Sequence, residues 1–390
     1  MAEEITDWIK LPHDLQHRFF LLAKDEAKEL KQRILDLKGQ LKYASQYFDK
    51  YFKHVEIKNE ELSEIAAIDS SRSFSLSERL GIRYGVIGAG AVILKGTQKR
   101  EEIFRAKVFR RHQALSQDKS KYLFDLLSTL TERDLALEIL DKCDLLILDG
   151  SFYSFVYTAQ RMKREEYLGE EEIKIIKEIY DKTEKLKRSG KVISIIKRSH
   201  TRAIGGYLAF INKSNNPFTK IIDKLILSVL MKEREYFNYH DLIENRPVQL
   251  FTQIALLVTS ANLENIYEEA YSKIYHPFEN LGLPKETIDS MRRLQIRIFK
   301  ELPPCEIEYP SNIDLNKILN VLSEKNVFNE STNLPLALDL IDNLVEIPSK
   351  FTEEFVSEIE SRLLEEMQTD INDQELIKIF FSFINPQKRF

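Results

Sequence analysis

Two short apolar runs, each closing on an aspartate, constrain the fold more than any other feature. Cys143-Asp144-Leu145-Leu146-Ile147-Leu148-Asp149-Gly150-Ser151 packs large apolar residues together without helical spacing and ends in a turn signal. Such a run suits a strand in the middle of a sheet covered on both faces. Ile65-Ala66-Ala67-Ile68-Asp69-Ser70-Ser71-Arg72 has the same design: small and β-branched residues, an acid, then small polar residues. If the two strands lie side by side and parallel, both carboxylates emerge at one rim, where open α/β sheets commonly place their ligands.

The remaining pattern builds an α/β fold around this pair. Residues 82–94 and 102–109 predict a hairpin on the first strand. Residues 120–142 take up helical spacing and feed the second strand. Helices follow over 152–164 and 170–188. Ser189-Gly190 stops the latter, and Lys191 to Lys197 is another buried strand, this one ending in bases. Residues 294–299 and 305–309 predict paired strands around Pro303-Pro304, and helices start near Asp314, Pro335 and Thr352. A helix is also expected over 219–232, within a less regular stretch that continues to about Met291. Before all of these, residues 11–55 read as one or two amphipathic helices with Gly39 as a possible bend. The expectation is one elaborated α/β domain: a helical arm over 1–58, the sheet-bearing body over 59–350 and an acidic helical segment over 351–390.

Charge and composition narrow the function classes. No apolar run approaches the ~18 residues of a membrane-spanning helix, and the acidic start Met1-Ala2-Glu3-Glu4-Ile5 leads into no signal-type core. The expected location is the cytoplasm, with no membrane partner. Two cysteines, Cys143 and Cys305, make neither a disulfide framework nor a thiolate metal cage. The net charge is −5, but its distribution is uneven. Residues 95–112 hold seven Lys/Arg against two acids, 182–202 hold eight against one, and 351–375 hold one against nine. Basic stretches at a sheet rim can follow a phosphate backbone, although solvated helix faces produce the same pattern.

A third carboxylate follows from geometry. A helix from Glu132 to Lys142 advances ~15 Å at ~1.5 Å per residue, and the strand back to Asp149 returns ~16 Å at ~3.3 Å per residue. Glu132 therefore ends level with Asp149, whereas Glu138 lies deeper or faces solvent. Asp69, Glu132 and Asp149 at one rim suit Mn²⁺ or Mg²⁺, which prefer hard oxygen ligands and keep positions open for phosphate. Paired ions of this kind support phosphodiester cleavage. Lys197 would neutralise phosphate charge, supported by Arg198 and Arg72. Arg110, Arg111 and Tyr153 are further candidates for guiding single-stranded DNA. Any one acid after a strand is commonly a turn or cap residue, so the weight rests on the set.

In this order, Ala67-Ile68-Asp69-Ser70-Ser71-Arg72-Ser73, Glu132, Leu148-Asp149-Gly150-Ser151 and Ile195-Ile196-Lys197-Arg198-Ser199 resemble the motif set of the NurA nucleases. Asp223-Lys224-Leu225-Ile226-Leu227, Arg297-Ile298-Phe299-Lys300 and Leu334-Pro335-Leu336-Ala337 are similar to later landmarks of that family. The resemblance implies an RNase H-like mixed sheet flanked by helices and a Mn²⁺-dependent nuclease acting on DNA ends and single strands. It also implies a homodimer and a HerA-type hexameric translocase as partner. On the family pattern Asp69, Glu132 and Asp149 bind the metals. A histidine usual a few residues after the Pro-Leu at Pro335-Leu336 is missing, since no histidine follows His276. Asp339 or Asp342 is left as its replacement, and the alternative is a weakly active or inactive DNA-binding adaptor.

Val86-Ile87-Gly88-Ala89-Gly90 imitates a dinucleotide-binding fingerprint, but Ile93 stands at the third glycine position and the chain continues as strand. Close approach of another segment or of DNA explains these glycines better. The histidines form no zinc-type pair; His240 and His276 read as ordinary residues, and His200, three past Lys197, is nearest the proposed site.

Overall fold

The computed structural model describes residues 11–59, 63–79, 81–112, 117–258, 265–366 and 375. The chain forms two compact units, Met1–Phe52 and Lys53–Phe390. In the first, the helix α1 (His13–Phe48) runs unbroken through Gly39, and Phe20, Leu22 and Ile34 are exposed along it.

In chain order the strands are β1 (Phe52–His54), β2 (Glu64–Arg72), β3 (Ser77–Arg79), β4 (Ile82–Lys95), β5 (Gln98–His112), β6 (Leu145–Asp149), β7 (Val192–Ile196), β8 (Glu235–Asn238), β9 (Met291–Arg297) and β10 (Cys305–Pro310). They form one sheet of order β1-β8-β9-β10-β7-β6-β2-β4-β3, with β5 paired to β4. The middle is parallel: β6 lies between β2 and β7 and runs with both. The two aspartate-ending runs are thus neighbours, with Ile68 level with Leu148 and Asp149 level with Ile195. The β4–β5 hairpin lies antiparallel along β2.

The helices α2 (Gln117–Ile139), α3 (Phe155–Arg164) and α4 (Glu170–Arg188) follow the expected segments. Next come α5 (Ala203–Asn212), α6 (Asp223–Leu230), α7 (Tyr239–Ile243), α8 (Val248–Leu257) and α9 (Ile266–Asn280). The chain ends in α10 (Leu315–Leu322), α11 (Leu336–Val345) and α12 (Phe351–Glu366). Most of the 351–390 segment beyond Glu366 lies outside the described residues. Helix α12 itself docks on the sheet, with Val356 against Tyr84 and Thr352 Oγ1 donating to the Ser75 carbonyl at 3.1 Å.

Side-chain alternation divides the sheet into two faces. Ala67, Ile147, Ile193, Ile195, Leu294 and Ile307 share one, and Leu338, Ile341 and Val345 of α11 cover it. The other face carries Ile87 and Phe109 against Phe124 of α2. Gly90 belongs to the α11 contact: a Cβ there would lie 2.6 Å from Val345 Cγ1 and 2.8 Å from Ile341 Cδ1. A protein segment, not a nucleotide, therefore uses the glycine stretch.

A tighter approach joins α5 to α8. A Cβ on Gly206 would stand 1.7 Å from the Phe251 carbonyl oxygen, a backbone atom with no rotamer to yield. Gly206→Ala is expected to destabilise the fold by about 3 kcal/mol or more through overpacking. Urea unfolding checks this, and an unchanged midpoint would contradict the packing.

Candidate metal centre

Asp69 and Asp149 extend the row of core residues Ala67 and Ile147 by one alternation each, so burial of that row aims both carboxylates at the α11 side of the rim. Helix α11 brings a third. Carboxylate oxygens of Asp69, Asp149 and Asp342 all lie within 4.8 Å of one another. Lys197, just past β7, completes the group: its Nζ is 3.2 Å from Asp149 Oδ2 and also donates to Asp342 Oδ2.

Glu132 arrives from the opposite face. Its Oε2 accepts from Ser70 Oγ at 3.1 Å and its Oε1 pairs with Arg133, whose side chain is fully buried. Glu132 is therefore close enough to interact electrostatically with Asp69 and Asp149, yet the three carboxylates that converge are Asp69, Asp149 and Asp342. Asp339, one turn earlier on α11, is engaged elsewhere: its Oδ2 accepts from Asn329 Nδ2 at 2.8 Å and from Thr332. Glu138 faces solvent against Arg105.

The electrostatics are those of a site short of positive charge. Burial, then Asp149, Glu132 and Asp342, push Asp69 up to about 8 against the opposing pull of Lys197. Burial also raises Asp149, with Lys197 opposing and Asp342 adding. Glu132 is raised by burial, opposed first by Arg133. Burial alone would lower Lys197, but Asp149 and then Asp342 outweigh it and hold the ammonium above the ordinary lysine value. With all three carboxylates ionised, the one ammonium would leave two negative charges, which a divalent cation would balance; without a cation Asp69 keeps its proton near neutral pH. Asp342 Oδ1 is buried without a hydrogen-bond partner among the described residues, an oxygen available to a cation. The all-carboxylate donor set fits Mn²⁺ or Mg²⁺.

This proton economy is testable. An acid whose folded pKa is raised from 3.8 to about 8 makes the metal-free fold lose stability as pH climbs through that window. The metal-free Tm is expected to fall between pH 5 and about 8, and saturating Mn²⁺ to remove the fall. Mn²⁺ binding near pH 7 should release about one proton, read by calorimetry in buffers of different ionisation heat. Binding without proton release would contradict the crowding.

The candidate DNA contacts differ in exposure. Arg198 and Arg110 are exposed. Arg72 pairs with Asp125 and lies over the Phe124 ring at 5.7 Å. Arg111 is held by Glu172 at 2.8 Å. Tyr153 is corrected outright: it is 5% exposed, bonded through its hydroxyl to Glu184 and enclosed by Phe152, Phe155, Tyr180 and Phe278. A ring with no free face cannot stack on a base.

The NurA domain family matches residues 63–283, more than half of the chain and the part that carries Asp69, Glu132, Asp149 and Lys197. This chain belongs to the NurA family. The crystal structure of the NurA nuclease from Sulfolobus solfataricus shares the fold, with a TM-score of 0.53 at 16% identity, covering 88% of this chain and 97% of that one. NurA bound to dAMP and manganese aligns at 0.48 and 12% identity, over 84% of this chain and 94% of that one. Endonuclease V from Bacillus subtilis aligns at 0.33 and 11% identity, over 81% and 94%. No curated protein matches the chain. The NurA match stops at residue 283, so it does not include Asp342, the NurA-domain carboxylates' partner from α11.

Proposed function

We propose that this NurA protein is a Mn²⁺-dependent deoxyribonuclease, with Mg²⁺ as the alternative ion, hydrolysing phosphodiester bonds at DNA ends and in single strands. The observation that carries the reading is the convergence of Asp69, Asp149 and Asp342 beside Lys197, with a buried Asp342 oxygen left without a partner. Asp69, Asp149 and Asp342 would hold the ion, with Glu132 behind them as a further ligand once released from Ser70. A bound divalent ion would supply Lewis acidity toward the phosphate and lower the pKa of the attacking water. The chain's own part is positional: the Asp69 and Asp149 strands fix the carboxylates, and the Lys197 ammonium offers positive charge where phosphate charge develops. Exposed Arg198 and Arg110 would steer the backbone of the DNA.

The finer reading is 5′-3′ exonuclease and single-strand endonuclease activity resecting ends in double-strand break repair, in the cytoplasm, by a homodimer working with a HerA-type translocase. Exposed Phe20, Leu22 and Ile34 on α1 support the arm as a protein-contact element. Deleting residues before about Val55 is expected to abolish one of the two assemblies, read by light scattering with and without the translocase. Intact assembly of both would place the contacts elsewhere.

The catalytic reading is tested by a Mn²⁺-dependent assay on single-stranded DNA with wild type and Asp69→Ala. Turnover by wild type and a loss of at least about 100-fold in the variant are expected. Equal activity would sink the assignment, and inactivity of both would favour the DNA-binding adaptor.

A further inference from the structure

The sheet face opposite the carboxylate rim holds a charged cluster. Glu306 and Glu308 alternate with Cys305, Ile307 and Tyr309 along β10, so they share a face, and both are fully buried. The register sets Gln295 and Arg293 of β9 beside them. Arg293 Nη1 donates to Glu306 Oε1 at 2.9 Å, and its Nη2 and Nε donate to Glu308 Oε1 at 2.8 and 3.1 Å. Gln295 Nε2 donates to Glu306 Oε2 at 2.8 Å. Two buried acids on one guanidinium are a poor source of stability compared with apolar packing, so their contacts outside the cluster are informative.

Those contacts lead to the site. Glu308 Oε2 accepts from Ser151 Oγ at 2.8 Å and from the Phe152 N–H at 2.9 Å. Both donors lie in the turn that leaves Asp149 through Gly150, whose φ is +74°. Glu306 Oε1 accepts from Thr201 Oγ1 at 2.8 Å, and Arg293 Nη1 donates to the same hydroxyl at 3.0 Å. Thr201 ends the short segment that begins at Lys197. The turn after Asp149 and the segment after Lys197 are therefore tied to one guanidinium.

We propose that Arg293, Glu306 and Glu308 are positioning residues: from behind the sheet they hold the Asp149 turn and the Lys197 segment in fixed relation, and so set the Asp149–Lys197 pair at the metal centre. The inference rests on the function proposed above. Residues that orient metal ligands typically affect metal affinity or activity by about 10–100-fold.

Glu308→Gln is the diagnostic change. It keeps the volume, but its amide group turns a donor toward either the Arg293 fork or the Ser151 and Phe152 donors. The expected result is a folded protein whose Mn²⁺ affinity, read by electron paramagnetic resonance, drops about 10-fold or more. Its kcat on single-stranded DNA should fall in similar measure while KM stays within about twofold. Ser151→Ala, which removes one anchor, should show the same split at about 3–10-fold. A lower Tm with unchanged Mn²⁺ affinity and kcat would overturn the positioning role. Should Glu308→Gln fail to fold, the same readouts on Ser151→Ala decide. Wild type that binds no Mn²⁺ would remove the metal centre and this inference with it; wild type that binds while both folded variants bind equally well overturns the inference alone.

Discussion

Asp149→Asn is expected to reduce nuclease turnover by about 10³-fold, the loss that follows when about 4 kcal/mol of transition-state stabilisation disappears. The same substitution should make the metal-free protein more stable. Burial and Asp342 raise the Asp149 pKa, so near neutral pH its ionised carboxylate is a cost to the fold. Asparagine removes the charge, and Lys197 keeps Asp342 as its partner. An increase of about 1–2 °C in metal-free Tm corresponds to about 1 kcal/mol in a unit of this size. Turnover assays and thermal melts in chelator check the two halves separately. A variant that loses activity and also loses stability would indicate that Asp149 is structural.

The second large effect concerns the α11 carboxylate. Asp342→Ala should weaken Mn²⁺ binding by about 10–100-fold, because it deletes one of three converging carboxylates. Asp339→Ala should leave binding near wild type, since that carboxylate is occupied by Asn329 and Thr332. Asp342→His supplies a neutral imidazole ligand; it should recover Mn²⁺ binding in part and shift preference toward Co²⁺, Ni²⁺ and Zn²⁺. Competitive metal titration distinguishes the three. Equal loss in the Asp339 and Asp342 variants would contradict the assignment.

The parallel β2–β6 pair was legible because burial on both faces writes itself as an apolar run, and the closing acid marks the rim. Lys197 followed from the same logic one strand further on. The choice between Asp339 and Asp342 was open from motif spacing alone, yet helical phase separates them. Asp342 lies four residues after Leu338 and three before Val345, on the stripe that packs against the sheet, whereas Asp339 sits in the first turn beside the preceding loop.

What the sequence concealed has physical causes. Helix α5 contains Gly205 and Gly206, poor helix formers kept because α8 and the residues around Phe218 pass too close for any Cβ. Tyr153 followed a metal-strand aspartate and suggested a stacking platform, but tertiary packing enclosed it among four rings. Glu306 and Glu308 alternate with apolar residues as a half-exposed strand would; their partners, Arg293 on the neighbouring strand and the sequence-distant Ser151 and Thr201, go with their burial. Counting residues set Glu132 level with Asp149, while its hold on Ser70 and Arg133 depends on the face from which α2 approaches.

Anomalous diffraction from a Mn²⁺-soaked crystal tests the metal centre most directly. The expected map has a peak within coordination distance of Asp69, Asp149 and Asp342 together. A site with no peak, or a peak held by Asp339 without Asp342, would contradict it.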